Sequence, residues 1–450
     1  MAIILKNDTL RVPEEQLTRP RAVLVSILTG EDTAKEVDES LDELARLLDT
    51  AGGMVAARLI QGRAAPDART LIGSGKVQEL AELCRRLDAS LVVFDCDLTP
   101  VQIRNLEDDI GVDDLRVIDR SMLILDIFAL HAVTAEGKLQ VELAQLQYTA
   151  PRLTGHGADM SRLGGGIGTR GPGESKLESD RRHMKRRVDA LKAELATVEK
   201  NRRTMRQARD KSGLPRIAIV GYTNAGKSTL LNTLTGAGIL AEDKLFATLD
   251  PTTRKFTLPG GESVLLTDTV GFIRKLPHHL VSAFRSTLEE AVYADIILIL
   301  LDASDPHCEE QLDVTENLLA ELGAGSKPTL FVFNKCDRNI DDRSGLDHMI
   351  SGRFGENGDR RALCISARTG EGCDALAKAM EACIRQGKRR VTFRIPNAQS
   401  GALSRLYSEK AAVESVEYGD EFITAVATVD DRVYGLMKQF DPNRRESEET

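Results

Sequence analysis

The chain has no tryptophan, and aromatics make up only 4% of its 450 residues. Sheet faces that stack nucleic-acid bases on paired aromatics are therefore not expected. Its seven cysteines (84, 96, 308, 336, 364, 373 and 383) include no C-x-x-C pair. That scatter speaks against a disulfide framework or a zinc site and for reduced thiols. No apolar run approaches the ~20 residues that a membrane-spanning helix needs. The best run, Ile296–Leu301, has the length of a buried strand. The first residues, Met-Ala-Ile-Ile-Leu-Lys-Asn-Asp, lack the layout of a secretory signal. The expectation is a cytoplasmic, monomeric protein with membrane contact at most peripheral. Its length is enough for about three domains.

The formal net charge is −9, but it is unevenly spread. Residues 174–211 hold thirteen Lys/Arg against seven Asp/Glu, so this one stretch is basic while the rest is correspondingly acidic.

Gly221, Tyr222, Thr223, Asn224, Ala225, Gly226, Lys227 and Ser228 fit G-x-x-x-x-G-K-[ST]. The β-branched run Ile217–Val220 precedes them, and Thr229–Leu234 can open a helix. Strand, loop and helix in that order aim backbone N–H groups and a helix N-terminus at phosphate oxygens. Lys227 adds a point charge for the β- and γ-phosphates, and Ser228 a hydroxyl for Mg²⁺. About forty residues on, a second apolar strand ends in Asp268, Thr269, Val270 and Gly271. Asp268 can hold the hydration shell of the metal, and the Gly271 N–H can reach a γ-phosphate.

A third strand ends in Asn334, Lys335, Cys336 and Asp337. A carboxylate that accepts two coplanar hydrogen bonds suits the N1–H and exocyclic amine of guanine. Adenine cannot donate that pair. Asn334 would brace the loop, and the Lys335 stem would lie over the base. Leu363–Ala367 reads as a fourth strand leading into the loop Arg368–Gly372, which can offer backbone N–H to the base, with Ser366, Ala367 and Arg368 as the candidate residues. Together these four signals describe a GTP-binding fold.

Phe246, Ala247, Thr248, Leu249 and Asp250 lie between the first two motifs, followed by Thr252 and Thr253. A threonine here that reaches Mg²⁺ only with a γ-phosphate present makes the segment a switch. Spacing alone does not choose among the three threonines. Lys255–Pro259 and Glu262–Thr267 read as a hairpin around Gly260-Gly261. Many GTPases place a water-orienting glutamine directly after D-x-x-G; here Phe272 stands there. Slow hydrolysis by the isolated chain, accelerated by an external surface, is the expectation.

The remaining chain reads as an α/β multidomain protein. A polar tail (1–21) leads into a small parallel α/β domain (22–118). Its strands are expected at Ala22–Leu28, Val55–Leu59 and Ser90–Phe94 and its helices at Ala34–Ala51, Val77–Leu87 and Pro100–Asp108. Leu71–Lys76 looks like a fragment of a phosphate loop, and more simply like a tight turn entering a helix. A long helical hairpin (119–213) follows, with Leu139, Leu143 and Leu146 on one face. Its second arm carries Met184, Val188, Leu191, Leu195 and Val198 at a/d spacing. The P-loop GTPase domain (214–388) precedes a small C-terminal α+β appendage (389–442), with strands at Val391–Ile395 and Glu421–Val429 and a helix at Ala402–Ala412. The last residues (443–450) form a polar tail.

Between the hairpin arms, residues 152–173 hold eight glycines interleaved with Arg152, Arg162 and Arg170. A plain linker does not need arginines spaced through it. Gly164, Gly165 and Gly166 let backbone approach RNA phosphates while Arg162 and Arg170 neutralise them, and Arg181 and Arg182 extend the positive face. A solvated helix face is the competing reading for Arg181 and Arg182.

The segment Ser161–Glu174, ahead of a G domain bearing Phe246-Ala-Thr-Leu-Asp250, resembles the HflX family of translational GTPases. The similarity runs through Leu123–Phe128 and Glu136–Gln145 and covers roughly residues 20 to 390. Ser175-Lys176 departs from the family's common Thr-Gln pair. The resemblance implies GTP-dependent binding to the large ribosomal subunit or the 70S ribosome. It also implies splitting or rescue of stalled or idle ribosomes under stress, with hydrolysis stimulated by the ribosome. It further implies that Thr248 is the switch ligand of Mg²⁺, so that Lys227, Thr248 and Gly271 carry catalysis. An ATPase or small-molecule kinase would lack N-K-x-D. A switch acting only on a protein partner would not need the glycine-arginine segment. No motif supports DNA binding.

Overall fold

The computed structural model describes residues 19–30, 32–150, 181–198, 200, 214–236, 238, 245–246, 251–275, 285–338, 344–354, 362–385, 388–409 and 411–442. The N-terminal domain alternates strand and helix: β1 (Arg21–Leu28), α1 (Ala34–Thr50), β2 (Met54–Gly62), α2 (Ser74–Leu87), β3 (Leu91–Phe94), α3 (Pro100–Ile110) and β4 (Arg116–Asp119). The strands form a parallel sheet in the order β2-β1-β3-β4. β1 and β3 are nearly continuous apolar runs because helices cover both faces. Thr33 caps α1 and Thr99 caps α3 through reciprocal capping boxes with Glu36 and Gln102. Leu71–Lys76 is the simpler alternative, a turn that enters α2 after Gly73.

The first arm of the expected hairpin is two helices, α4 (Arg120–His131) and α5 (Ala135–Thr149). Thr134 caps α5 and breaks the continuity, with Val133 79% exposed at the corner. The deeply buried stripe of α5 is Gly137, Gln140, Val141 and Ala144 rather than the leucines, which are half-buried. Residues 181–198 form α6, on which Leu191 and Leu195 are buried and Met184, Val188 and Val198 half-buried, as the a/d spacing requires. An Arg187–Glu142 ion pair at 2.7 Å ties α6 to α5.

The G domain comprises β5 (Arg216–Gly221), α7 (Lys227–Thr235), β6 (Thr252–Thr257), β7 (Ser263–Asp268), α8 (Arg285–Tyr293), β8 (Ile296–Asp302), α9 (Cys308–Glu321), β9 (Thr329–Asn334), α10 (Ser344–Phe354), β10 (Ala362–Cys364) and α11 (Cys373–Arg385). Its sheet runs β10-β9-β8-β5-β7-β6, parallel except for the β6–β7 hairpin. The order reverses beside β5, so the loops after β5 and β7 open together at the carboxyl ends of the strands. The C-terminal unit is β11 (Lys388–Pro396), α12 (Gly401–Ser408), β12 (Ala412–Tyr418), β13 (Phe422–Asp430) and α13 (Asp431–Met437), with antiparallel order β11-β13-β12. Strand β12 and helix α13 are additions to the elements expected there. Among the described residues no helix is long and apolar enough to cross a membrane.

Candidate functional site

The loop from β5 into α7 takes its shape from two glycines. Gly221 has φ +147°, and a Cβ there would lie 2.1 Å from the Leu300 carbonyl oxygen of β8. Gly226 has φ +97°, and a Cβ would meet Asn334 Nδ2 at 2.3 Å. Both positions combine a left-handed backbone with a close neighbour, so a side chain would be strained twice. Asn224 adopts φ +63°, a conformation Asn tolerates better than most, and its side chain is exposed.

Lys227 opens α7 and is only 7% exposed. Its ammonium donates to the carbonyls of Tyr222 at 2.8 Å and Gly221 at 3.2 Å. Burial pulls its pKa down to about 8, a shift that nearby Asp268 opposes. Ser228 donates from Oγ to Asp268 Oδ2 at 2.6 Å. Asp268 is fully buried at the end of β7. A hydroxyl and a carboxylate oxygen side by side are the donor set of a hard divalent cation.

Past Asp268 the chain folds back over the loop. The Thr269 hydroxyl donates to the Ile219 carbonyl at 2.8 Å, and Val270 is buried. Phe272 N–H donates to Gly221 O at 3.1 Å, and Thr223 N–H to Phe272 O at 2.8 Å. Gly271 lies against Lys227 so closely that a Cβ would be 2.8 Å from Nζ. The Phe272 ring is 1% exposed, so the position after D-x-x-G is filled by a core side chain.

On the other side Asn334 joins two loops. It donates from Nδ2 to Ala225 O and accepts at Oδ1 from Ala367 N–H, both at 2.8 Å. Asp337 Oδ1 accepts from the Ser366 hydroxyl at 2.8 Å, and Arg368 lies 3.0 Å from Oδ2. The Ser366 hydroxyl, with help from Arg368, holds the Asp337 carboxyl below the ordinary carboxylate range. Lys335 turns through φ +65° and pairs with Asp302 at 2.6 Å, while Cys336 N–H donates to Ile365 O.

The structure thus gathers Gly221–Ser228, Asp268–Gly271, Asn334–Asp337 and Ser366–Arg368 around one end of the sheet. Of the segment between the first two, Phe246 is buried and packs edge-on against Phe128 with ring centroids 4.7 Å apart. Thr252 and Thr253 belong to β6, where Thr252 pairs with Asp268 and the Thr253 hydroxyl meets that of Thr267 at 3.0 Å. Ala247, Thr248, Leu249 and Asp250 lie outside the described residues, as do Arg162, Gly164, Gly165, Gly166 and Arg170. Arg181 and Arg182 are exposed on α6.

Sequence reasoning missed the N-terminal residues that meet this site: Glu43 on α1, which bonds to Tyr222 of the loop, and Arg120 on α4 and Asp95 after β3, which bond to Arg274 and Lys275 respectively. The available signal was a carboxylate, Glu43, on the apolar stripe formed by Leu41, Leu44, Leu47 and Leu48.

Residues 38–129 match the family model described as GTP-binding GTPase N-terminal. Residues 131–209 match the GTP-binding GTPase Middle Region, and 216–335 the 50S ribosome-binding GTPase. The GTPase HflX of Lacrimispora saccharolytica is 51% identical over 397 residues, covering 87% of this chain and 86% of that protein. That of Caldanaerobacter subterraneus is 45% identical over 428 residues, covering 95% of each. A crystal structure of a GTP-binding protein from Sulfolobus solfataricus in complex with GDP is 25% identical, covers 82% of this chain and 99% of that one, and has a TM-score of 0.44.

Proposed function

Since the chain belongs to the HflX family and is a GTPase, we propose that it is a cytoplasmic factor whose GTP state binds the large ribosomal subunit or the 70S ribosome. There it splits or rescues stalled or idle ribosomes, and hydrolysis releases it. The observation that carries this reading is the match of residues 216–335 to a 50S ribosome-binding GTPase model. The arginines of segment 152–173 and the basic stretch after it supply the positive charge that RNA phosphates require.

In this reading Gly221–Ser228 cradle the phosphates, and Asp337, Ser366, Ala367 and Arg368 hold guanine. Lys227 faces the β- and γ-phosphates. Ser228, Thr248 and, through water, Asp268 would hold Mg²⁺. When bound, the ion neutralises charge that builds on the phosphate oxygens. Lys227 stabilises the same charge, and the Gly271 N–H and Thr248 respond to the third phosphate. Phe272 cannot orient water, so hydrolysis is expected to be slow without a stimulating surface.

The test is single-turnover GTP hydrolysis with and without 70S ribosomes. The proposal expects ribosomes to raise the rate at least tenfold. An equal rate in both would remove the ribosome as the stimulating surface.

A further inference from the structure

One buried polar cluster joins the phosphate loop, the segment after Gly271 and the N-terminal domain. Tyr222, the second residue of the loop, is 5% exposed. Its phenol donates to Glu43 Oε1 and accepts from the Arg274 backbone N–H. The other Glu43 oxygen accepts from Arg120, and both side chains are almost wholly enclosed. Arg120 also donates to Asp95 Oδ1 at 2.8 Å and to the Arg274 carbonyl at 3.2 Å. Asp95 Oδ2 accepts from Lys275 Nζ at 3.0 Å and from the Ser40 hydroxyl at 2.7 Å. At the rim, the Arg274 guanidinium bridges Glu39 at 2.9 Å and Glu310.

Two carboxylates, Glu43 and Asp95, therefore face two cations, Arg120 and Lys275. Glu43, Asp95 and Arg120 are almost wholly enclosed and Lys275 is half-exposed. Enclosed charges are tolerable only as a set, because removal of one strands its partner. Both backbone polar groups of Arg274 are committed to the cluster, and Gly271 is three residues away. Gly271 in turn rests against the Lys227 amine. The cluster thus holds the glycine of D-x-x-G beside the group that meets the terminal phosphates. Displacement of that glycine must work against contacts made by α1, α4 and Asp95, which follows β3.

We infer that Glu43 and Tyr222 are positioning residues through which the N-terminal domain sets the approach of Gly271 to the third phosphate. Coupling is reciprocal: a ligand of the N-terminal domain that disturbs α1 or α4 changes triphosphate affinity by the factor that the triphosphate changes its own.

The inference rests on GTP binding alone, so its test uses the full chain without ribosomes. Affinities for fluorescent GDP and for a fluorescent non-hydrolysable GTP analogue are compared in the wild type, Glu43→Gln, Tyr222→Phe and the double variant. Glu43→Gln is expected to weaken the analogue at least fivefold relative to GDP, with GDP affinity within twofold. The double variant loses no more of the analogue-to-GDP ratio than the worse single one, because both break the same link. General structural damage would weaken both nucleotides alike and leave the ratio unmoved. Should Glu43→Gln fail to fold, Lys275→Gln takes its place, since that side chain is 53% exposed; it lowers the ratio in the same direction. An unchanged ratio in the folded variant, or additive losses in the double one, overturns the inference.

Discussion

The Asn334 side chain reaches from the carboxyl end of β9 to the Ala225 carbonyl of the loop between β5 and α7, at 2.8 Å. It also accepts the Ala367 N–H, so one amide braces three loops. Asn334→Ala leaves a buried carbonyl and a buried N–H unpaired, each costing ~1–3 kcal/mol. GDP affinity should fall at least tenfold and the melting temperature should drop. Calorimetric titration and thermal unfolding check both. Unchanged affinity would mean that the loops hold their geometry without the brace.

Asp337 carries the choice of base in this account. Its carboxylate is held ionised by Ser366 and Arg368, ready to accept two hydrogen bonds from guanine. Asp337→Asn presents a donor where an acceptor stood. GDP binding should weaken by about a hundredfold, while xanthosine diphosphate binding improves. Competition between the two nucleotides reads the switch directly. An Asp337→Asn variant that still prefers GDP would place base recognition elsewhere.

Lys227 is expected to make nucleotide binding pH-dependent. Burial lowers its pKa to about 8, and phosphate oxygens raise it again on binding. Below pH 8 the amine is charged in both states and affinity is flat. Above pH 8 binding must take up a proton, so the GDP dissociation constant rises towards tenfold per pH unit. The nucleotide-free fold responds with the opposite sign. Between about 8 and the ordinary value of 10.5 the unfolded chain holds more protons, so stability rises with pH across that window. GDP titrations from pH 7 to 9 on the wild type and Lys227→Met check the origin, since the variant loses affinity and the slope. A wild-type affinity flat to pH 9 contradicts the assignment.

The placement of the loops after β5 and β9 was legible because each motif is contiguous and ends a strand of strong apolar pattern. Short or interrupted elements were harder to read. β4 (Arg116–Asp119) has only four residues with charges at both ends. The alternation of β12 is broken by a register shift between Val413 and Ser415. The break between α4 and α5 is marked only by the Thr134 cap. The Glu43–Arg120–Tyr222 cluster was least legible. Glu43 and Arg120 are 77 residues apart, and Glu43 and Tyr222 are 179 apart. Charged residues in sequence look like surface until the fold encloses them.

The glycine-arginine segment is expected to act on ribosome affinity alone. Arg162→Glu with Arg170→Glu should weaken ribosome binding and flatten its salt dependence, because two phosphate contacts are lost. GTP affinity should stay within twofold. Sedimentation with ribosomes at several salt concentrations, beside nucleotide titration, separates the two effects. Unchanged sedimentation would remove the segment from the RNA-binding surface.

The central claim is that the third phosphate controls ribosome engagement. Its most direct measurement is co-sedimentation of the full chain with 70S ribosomes and 50S subunits, loaded with a non-hydrolysable GTP analogue or with GDP. Strong association is expected with the analogue, at least tenfold weaker association with GDP, and none for Lys227→Ala with either. Equal co-sedimentation in both nucleotide states, or none in either, would contradict it.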